Sequence, residues 1–362
     1  ICDITRPVPN GLILPPRVET LIRSGIPKEK ITILVATGLH RPNEGEELRE
    51  LVGSDELFHS IRIENHFARD REAHVDLGVT SQGIPIGIDR RFVNAELRIV
   101  TGLVEPHFMA GYSGGRKVVA PGVAYQDTIL KFHTAHVLEH KNADNCILDG
   151  NPLHQAQLEI IRNIGDIYAV NTVIDDKRRL GKVTFGAIEP SHLEAVEFMK
   201  KYGEVTITRK FKTIVTSAGG YPLDKTYYQT VKGMVGPIPI LAEGGTIIIA
   251  SECSEGMGSP EFVEAQKMLC RQGPEGFMKT LYTRTDAEID EWQTEMLLKP
   301  LRRGRIRLYT ENLGPEELQQ TYVEPVSTSL SEAVINSSRE QDDNDIAVIP
   351  EGPYVIPHYR PA

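Results

Sequence analysis

Short runs of β-branched and other apolar residues alternate along the chain with longer stretches in which apolar residues recur at helical spacing. The short runs predict strands at residues 31–36, 97–101, 168–174, 182–185, 213–217, 246–250 and 346–350, and the longer stretches predict helices at 127–140, 151–163, 191–202 and 260–269. Strands that alternate with helices indicate a parallel or mostly parallel sheet. Ligands of such sheets bind beyond the carboxyl ends of the strands, where several of these runs continue into polar or glycine-rich loops.

The chain has 362 residues, which exceeds the size at which one hydrophobic core stops growing, so we expect two domains. We predict an α/β protein with two Rossmann-like domains, mostly parallel sheets and an active-site cleft between them. The N-terminal catalytic and cofactor-binding domain is expected at residues 1–205, completed by residues 344–362. A C-terminal α/β domain is expected at residues 206–343.

Composition narrows the class of protein. Apolar residues make up 40% and charged residues 25% of the chain, which is typical of a soluble globular protein. The net charge of −10 argues against binding to nucleic acid or to an anionic membrane, although a few buried cations still allow an anionic substrate. No apolar run approaches the roughly 20 residues that span a bilayer. We therefore expect a cytoplasmic protein, and we expect a segment before Ile1, because the chain opens within a strand-to-loop motif.

The cysteines show no local pattern. Cys2, Cys146, Cys253 and Cys270 include no pair at C-x-x-C spacing, so neither a thiolate zinc site nor a disulfide framework is indicated. Free thiols in a reducing cytosol are the simplest interpretation.

Two loops near the N-terminus carry residues suited to chemistry. Arg6 lies in D-x-T-R-P-V-P, where it is placed to bind a carboxylate through two parallel hydrogen bonds, but on this motif alone a solvated arginine in a surface turn is the favoured interpretation. His40 follows a predicted strand in A-T-G-L-H-R-P and is a candidate acid or base, with a purely structural histidine as the alternative. Asp3 is a candidate partner that orients His40.

The segment E-P-H-F-M-A-G-Y-S-G-G-R-K is the most informative part of the sequence. Ser113, Gly114 and Gly115 allow backbone N–H groups to approach a phosphate closely, and Arg116 and Lys117 add positive charge at the same place. The spacing is not that of a Walker loop. A structural glycine-rich turn is the alternative.

Further candidates lie downstream. Three histidines at 133, 136 and 140 are spaced to share one face of the predicted helix, and imidazole suits nickel, copper, zinc or iron, although solvated histidines fit positions 136 and 140 equally well. Gln229 and Lys232 are spaced to point the same way on a helix and to hold a hydroxy acid, with an ordinary helix surface as the alternative. Trp292, the only tryptophan, is either core packing or the wall of a pocket.

Together these motifs closely resemble the lactate racemase family, which binds the nickel-pincer nucleotide. The resemblance covers nearly the whole chain, from Asp3 to about Gly352, and includes G-G-Y-P-L-D, Y-Q-T-V-K-G-M and D-E-W besides the motifs above. The residue roles that it implies are the following: Lys117 is joined covalently to the cofactor, His133 binds its nickel, His40 and His107 exchange the hydroxyl proton, Arg6, Gln229 and Lys232 bind substrate, Trp292 forms an aromatic wall, and Ser113, Gly114, Gly115 and Arg116 belong to the cofactor loop.

The resemblance implies an isomerase that racemises or epimerises a small 2-hydroxy acid by reversible hydride transfer, with nickel and with the proteins that make its cofactor as partners. Leu39, Phe108 and Met109 flank the candidate catalytic histidines and do not identify the substrate side chain. One alternative is a nicotinamide-dependent 2-hydroxy acid dehydrogenase, although the chain lacks G-x-G-x-x-G after a first strand. Another is a non-catalytic metal- or nucleotide-binding protein, against which the presence of both His40 and His107 argues.

Overall fold

The computed structural model describes residues 1–361, and the chain divides into two compact units. Unit 1 is built from Ile1–Glu105, Ser113–Phe132 and His154–Met199. Unit 2 is built from Pro106–Tyr112, His133–Leu153 and the chain from Lys200 onward. The boundary near residue 200 lies close to the predicted end of the N-terminal domain, but two short stretches of the N-terminal half belong to unit 2.

Sixteen strands lie within the described residues. In chain order they are β1 (Thr32–Val35), β2 (Arg62–Asn65), β3 (His74–Val79), β4 (Pro85–Asp89), β5 (Ile99–Leu103), β6 (Pro106–His107), β7 (Gly111–Tyr112), β8 (Tyr168–Ile174), β9 (Leu180–Ala187), β10 (Glu204–Ile207), β11 (Phe211–Ser217), β12 (Leu241–Ala250), β13 (Arg305–Tyr309), β14 (Glu324–Pro325), β15 (Ile346–Ile349) and β16 (Ile356–Tyr359).

Fourteen α-helices lie within the same residues. They are α1 (Asn10–Arg23), α2 (Gly45–Val52), α3 (Asp55–Ser60), α4 (Arg90–Val93), α5 (Arg116–Val119), α6 (Gln126–Phe132), α7 (Ala135–Leu138), α8 (Pro152–Ile164), α9 (Ile188–Gly203), α10 (Tyr227–Val235), α11 (Pro260–Tyr282), α12 (Glu291–Leu301), α13 (Pro315–Leu318) and α14 (Leu330–Gln341). Among the helices described, none has the length and apolar character needed to cross a membrane.

Unit 1 contains three small sheets. β1 pairs with β2 in parallel, β3 pairs with β4 antiparallel, and β8 lies between β5, its parallel partner, and β9, its antiparallel partner. The apolar faces of α1, α2 and α3 meet β1 in a core that includes Leu14, Val18, Ile33, Val52 and Leu57. This core fixes the end of β1, from which the loop carrying His40 departs.

Unit 2 is organised around a five-stranded sheet in the order β14-β13-β12-β11-β15, in which all neighbouring strands are parallel. The central strand β12 carries Ile247, Ile248 and Ile249, all fully buried, as expected for a parallel strand that is covered on both faces. The prediction of an α/β fold with mostly parallel sheets is therefore confirmed.

The last segment of the chain lies elsewhere than predicted. We expected residues 344–362 to complete the N-terminal domain, but β15 forms the edge of the unit 2 sheet beside β11. The following strand, β16, pairs in parallel with β10, which also belongs to unit 2. The alternating apolar pattern predicts such strands correctly, but it does not specify which sheet a strand joins.

The predicted helix at 127–140 is two helices, and this corrects the expectation for its histidines. α6 ends at Phe132, and Thr134 adopts an extended backbone with φ −69° and ψ 149° before α7 begins. His133 therefore lies in the turn, whereas His136 lies in α7 and His140 follows it. The three histidines do not share one helical face.

Candidate active site

His40 lies in the loop after β1, where its ring contacts Asp3. The Nδ1 atom of His40 is 2.5 Å from Oδ2 of Asp3, and Thr5 donates its hydroxyl to Oδ1 of the same carboxylate at 2.6 Å. Burial by itself would raise the pKa of the Asp3 carboxyl, but His40, Thr5 and the charge of Arg6 outweigh burial and hold the pKa below its ordinary value. The charged carboxylate therefore favours the tautomer of His40 with its proton on Nδ1, and Nε2 is left as the proton acceptor.

The backbone around His40 is held at several points. The N–H of Gly38 donates to the carbonyl of Gly122 at 2.9 Å, and the N–H of His40 donates to the carbonyl of Thr37 at 2.9 Å. Gly38 has a φ of +54°, which a residue with a side chain rarely adopts. The A-T-G-L-H motif thus forms a turn that fixes the backbone position of His40.

Arg6 forms an ion pair with Glu105, which lies two residues after the end of β5 in unit 1. The two side chains are only 15% and 6% exposed, respectively. The motif around Arg6 predicts that it binds a substrate carboxylate, whereas the sequence predicts no role for Glu105, which opens the glycine-rich motif. Because arginine carries five N–H donors, this ion pair leaves donors on Arg6 for a second anion.

Lys117 is the second residue of α5 and is partly buried. Burial, together with the positive charges of Arg6 and Arg116, lowers the pKa of its ammonium to about 7. Across residues 1–361, its Nζ atom makes no hydrogen bond or ion pair. A substantial fraction of Lys117 is therefore a neutral, nucleophilic amine near neutral pH.

The two glycines before α5 are required by the backbone and by packing. Gly114 and Gly115 have φ values of +75° and +46°. A Cβ atom would lie 2.7 Å from the Val104 side chain at the first position and 2.8 Å from the His192 side chain at the second. The N–H of Gly115 donates to Oδ1 of Asn171 at 3.0 Å, so this donor is already used within the protein.

Ser113 and Arg116 are also engaged within unit 1. The Ser113 hydroxyl donates to the carbonyl of Leu103 at 2.7 Å and accepts from the N–H of Glu105 at 3.1 Å, which braces the loop. Arg116 is 1% exposed, and its Nη1 is 2.9 Å from Nε2 of His192. Burial lowers the pKa of Arg116 to about 9, and burial with the charge of Arg116 holds the pKa of His192 well below its ordinary value. Nε2 of His192 also lies 2.8 Å from the carbonyl oxygen of Ser113, so the neutral ring contacts both the guanidinium and the glycine-rich loop.

His107 is the last residue of β6 in unit 2 and is buried. Its Nδ1 atom accepts from the backbone N–H groups of Met109 at 3.3 Å and Ala110 at 3.2 Å. Asn151 donates to the carbonyl of Met109 at 2.9 Å and braces the same turn. Two N–H donors at Nδ1 favour the tautomer that carries its proton on Nε2, which is the reverse of the arrangement at His40.

Gln229 and Lys232 lie on α10, as predicted. Thr226 caps this helix, and its hydroxyl accepts from the N–H of Gln229 at 3.4 Å. The Gln229 side chain is buried, and its carboxamide oxygen has no hydrogen-bond partner among the described residues. The ammonium of Lys232 lies 6.0 Å from the ring centroid of Phe108. α10 thus presents one amide and one cation three residues apart.

His133 stacks on Trp292 in unit 2. The ring centroids are 4.3 Å apart and the rings are inclined by 28°. The indole Nε1 of Trp292 donates to the hydroxyl of Tyr228 at 3.1 Å, which fixes the orientation of the indole. Sequence reasoning gave Tyr228 no role, although it immediately precedes Gln229. The tryptophan therefore positions the histidine rather than serving only as core packing.

The predicted site residues divide between the units. Unit 1 contains Asp3, Arg6, His40, Ser113, Gly114, Gly115, Arg116 and Lys117, and unit 2 contains His107, His133, Gln229, Lys232 and Trp292. Within unit 1 the structure joins Asp3 to His40, and within unit 2 it joins His133 to Trp292. Sequence reasoning missed Asn171 and His192, which support the glycine-rich loop from positions far along the chain and carry no local motif.

Comparisons with known proteins agree along most of the chain. The family model of the lactate racemase N-terminal domain matches residues 1–145, and that of the lactate racemase C-terminal domain matches residues 207–356. The lactate racemase of Thermoanaerobacterium thermosaccharolyticum is 32% identical over 357 residues, covering 98% of this chain and 82% of the relative. The lactate racemase of Lactiplantibacillus plantarum is 31% identical over 357 residues, covering 98% and 83%.

Solved structures are similar over the same extent. The lactate racemase apoprotein from Thermoanaerobacterium thermosaccharolyticum has a TM-score of 0.91 and 30% identity, and the match covers 98% of this chain and 85% of that one. A crystal structure of a protein from Thermotoga maritima has a TM-score of 0.76 and covers 99% of this chain and 92% of that one. At 18% identity, the second likeness shows the shared fold alone.

Proposed function

The chain belongs to the lactate racemase family, and on that premise we propose that it racemises or epimerises a small, lactate-like 2-hydroxy acid. The proposed reaction is reversible hydride transfer with the nickel-pincer nucleotide, with His40 and His107 exchanging the hydroxyl proton. The observation that carries the proposal is the placement of Lys117, which is partly buried in α5 near the charges of Arg6 and Arg116, where burial lowers the pKa of its ammonium to about 7. A lysine kept only for solubility has no reason to be held in this state.

The donor groups of this chain fit such a cofactor. The neutral amine of Lys117 is the form that can enter a covalent thioamide link. The imidazole of His133 suits nickel, and Trp292 holds the ring in place. When bound, the nucleotide supplies the group that accepts and returns hydride. Its synthesis and nickel loading require dedicated biosynthetic proteins, which are the proposed partners of the chain.

The substrate explains why two proton-transfer groups are needed. The C–H bond of a 2-hydroxy acid is too weakly acidic for easy proton removal at neutral pH, so loss of hydride is the easier route. Loss of hydride from carbon and of the proton from the hydroxyl oxygen gives a flat 2-keto acid. Return of both to the opposite face inverts the centre. Each face therefore needs its own acid or base.

His40 is the residue best prepared to take the proton. Asp3 holds Nδ1, so the hydroxyl proton moves to Nε2, and the resulting imidazolium is stabilised by the charged carboxylate. His107 starts from the other tautomer and presents Nε2–H. In that state His107 donates a hydrogen bond to the substrate oxygen, and it becomes a base only after its proton moves to Nδ1. Before the reaction, the two histidines are therefore in different tautomers, one ready to accept a proton and the other ready to donate a hydrogen bond.

Three further residues are proposed to bind the substrate. Arg6 holds Glu105 and retains N–H donors with which to hold the substrate carboxylate. The unpartnered carboxamide oxygen of Gln229 is an acceptor for the substrate hydroxyl. The ammonium of Lys232 supplies a second positive charge. These contacts recognise the features common to 2-hydroxy acids rather than a particular side chain.

The test is a chiral assay on the full chain, produced together with the cofactor biosynthetic proteins. Pure D-lactate is incubated with the protein without any nicotinamide, and both enantiomers are quantified by chiral chromatography. We expect equal amounts of D- and L-lactate at the end point and no racemisation by Lys117→Ala, whereas Lys141→Ala, at an exposed position, should behave like the wild type. A protein that forms 2-keto acid only with a nicotinamide would be a dehydrogenase instead.

A further inference from the structure

A second group of possible metal ligands lies in unit 2. Cys146, Glu204 and His358 come from the loop after α7, the start of β10 and the strand β16. One ligand atom from each side chain lies within 4.8 Å of the other two, and all three residues are partly buried. The group shares no residue with those proposed to hold the nucleotide.

His358 and Glu204 are in close contact. Nε2 of His358 is 2.9 Å from Oε2 of Glu204. Even so, this buried nitrogen makes no hydrogen bond among the described residues. Ligands of a metal ion come close to one another in this way without bonding to each other.

Tyr112 orients two members of the group. Its hydroxyl donates to Oε1 of Glu204, which leaves Oε2 toward His358, and it also hydrogen-bonds the Cys146 side chain. A phenol that hydrogen-bonds the ligands is the kind of outer contact that orients the groups around a metal.

The backbone places the cysteine in an unusual conformation. Cys146 has a φ of +61°, a region that residues with a side chain seldom adopt and that is maintained only where neighbouring structure enforces it. Its N–H donates to the carbonyl of Gly111 at 3.0 Å, which holds it beside Tyr112. β10 and β16 form a sheet of two strands only, and such a sheet is marginally stable without further support.

We propose that Cys146, Glu204 and His358 bind one zinc ion, with a water molecule as fourth ligand, and that this ion fastens β16 to β10 and to the loop after α7. A sulfur, a nitrogen and an oxygen ligand are the set that zinc accepts in tetrahedral geometry, whereas magnesium and calcium prefer oxygen ligands alone. The sequence gives no C-x-x-C signal for this site, because its ligands are far apart along the chain. The proposal is independent of the proposed racemase activity.

The experiment uses the full chain expressed without the cofactor biosynthetic proteins, saturated with zinc and then desalted. Elemental analysis should find about one zinc per chain in the wild type and its loss in Cys146→Ser and His358→Gln. The matched controls Cys270→Ser and His59→Gln replace an exposed thiol and an exposed imidazole and should keep the zinc. Tyr112→Phe should bind zinc about 10- to 100-fold more weakly.

Two further measurements separate this site from the others. Lys117→Ala and His133→Ala should keep the zinc, and cobalt in place of zinc should give a thiolate-to-metal charge-transfer band in the wild type. A wild-type chain that holds no zinc after desalting, or variants at 146 and 358 that hold as much as the wild type, would overturn the proposal. If those variants do not fold, absence of the cobalt band in the wild type overturns it equally.

Discussion

The Nδ1 atom of His40 lies 2.5 Å from Oδ2 of Asp3, and this pair decides which atom of the ring can accept a proton. Because the Asp3 carboxyl has a pKa below its ordinary value, it remains charged at neutral pH and accepts from Nδ1–H. Nε2 is then the ring atom that can accept a proton. The opposite tautomer is favoured at His107, because its Nδ1 accepts from two backbone N–H groups and the proton is then on Nε2.

Asp3→Asn should lower kcat for racemisation by about 10²- to 10⁴-fold. The amide of asparagine can donate to Nδ1 and so stabilise the tautomer in which Nε2 already carries its proton. The measurement is kcat of the loaded protein, with nickel content determined in parallel to show that loading is unchanged. Asp166→Asn, at an exposed position, is the control. An Asp3→Asn enzyme as fast as the wild type would mean that the pair is only structural.

Lys117 should react with an amine-selective reagent at lower pH than an ordinary lysine. Its pKa of about 7 means that the ammonium loses its proton as the pH rises through 7, so the labelling rate should rise up to that region and then level off. Pulsed acetylation of the cofactor-free chain, resolved by peptide mass spectrometry, gives this profile, with the exposed Lys141 as reference for the reagent. A rate that still rises near about pH 10, the ordinary range for lysine, would contradict the burial argument.

Arg6→Ala should destabilise unit 1. Removing the guanidinium leaves the Glu105 carboxylate buried without its partner, which costs about 3–5 kcal/mol. Urea unfolding of the cofactor-free chain should show an earlier transition, and adding Glu105→Gln to Arg6→Ala should recover part of the loss. If Arg6 served the substrate alone, the single variant would unfold like the wild type.

Trp292→Ala should weaken nickel retention, because His133 loses the ring on which it stacks. By analogy with other outer contacts around metal ligands, the loss should be about 10- to 100-fold in affinity. Trp292→Phe keeps an aromatic face and should retain most of the nickel. The measurement is nickel per chain after dialysis of loaded protein. Equal retention by the alanine and phenylalanine variants would show that stacking does not hold His133.

The sequence predicts where strands and helices lie better than it predicts which strands pair with each other. The strand at residues 168–174 and the helices near 151–163 and 191–202 are found within a few residues of their predicted positions, because local apolar spacing specifies them. The assignment of 344–362 fails because a strand pattern contains no information on the neighbouring strand. β15 joins β11 through contacts between residues more than a hundred positions apart in sequence.

The same distinction applies to the site. His40, Lys117 and Gln229 stand out from their own motifs, and Asp3 is offered by the sequence as a candidate partner that orients His40. The break at Thr134 could not be seen, since threonine is tolerated within helices and nothing else interrupts the spacing. Asn171 and His192, which support the glycine-rich loop, reach it only through the packing of β8 and α9.

We propose that Lys117 carries the cofactor covalently in the active racemase. Native mass spectrometry of the loaded chain, followed by peptide mapping and nickel analysis, tests it most directly. We expect a single adduct on the peptide containing Lys117, one nickel per chain, and neither of these in Lys117→Ala. A chain that racemises lactate while its Lys117 peptide is unmodified would show that the cofactor is not attached at Lys117.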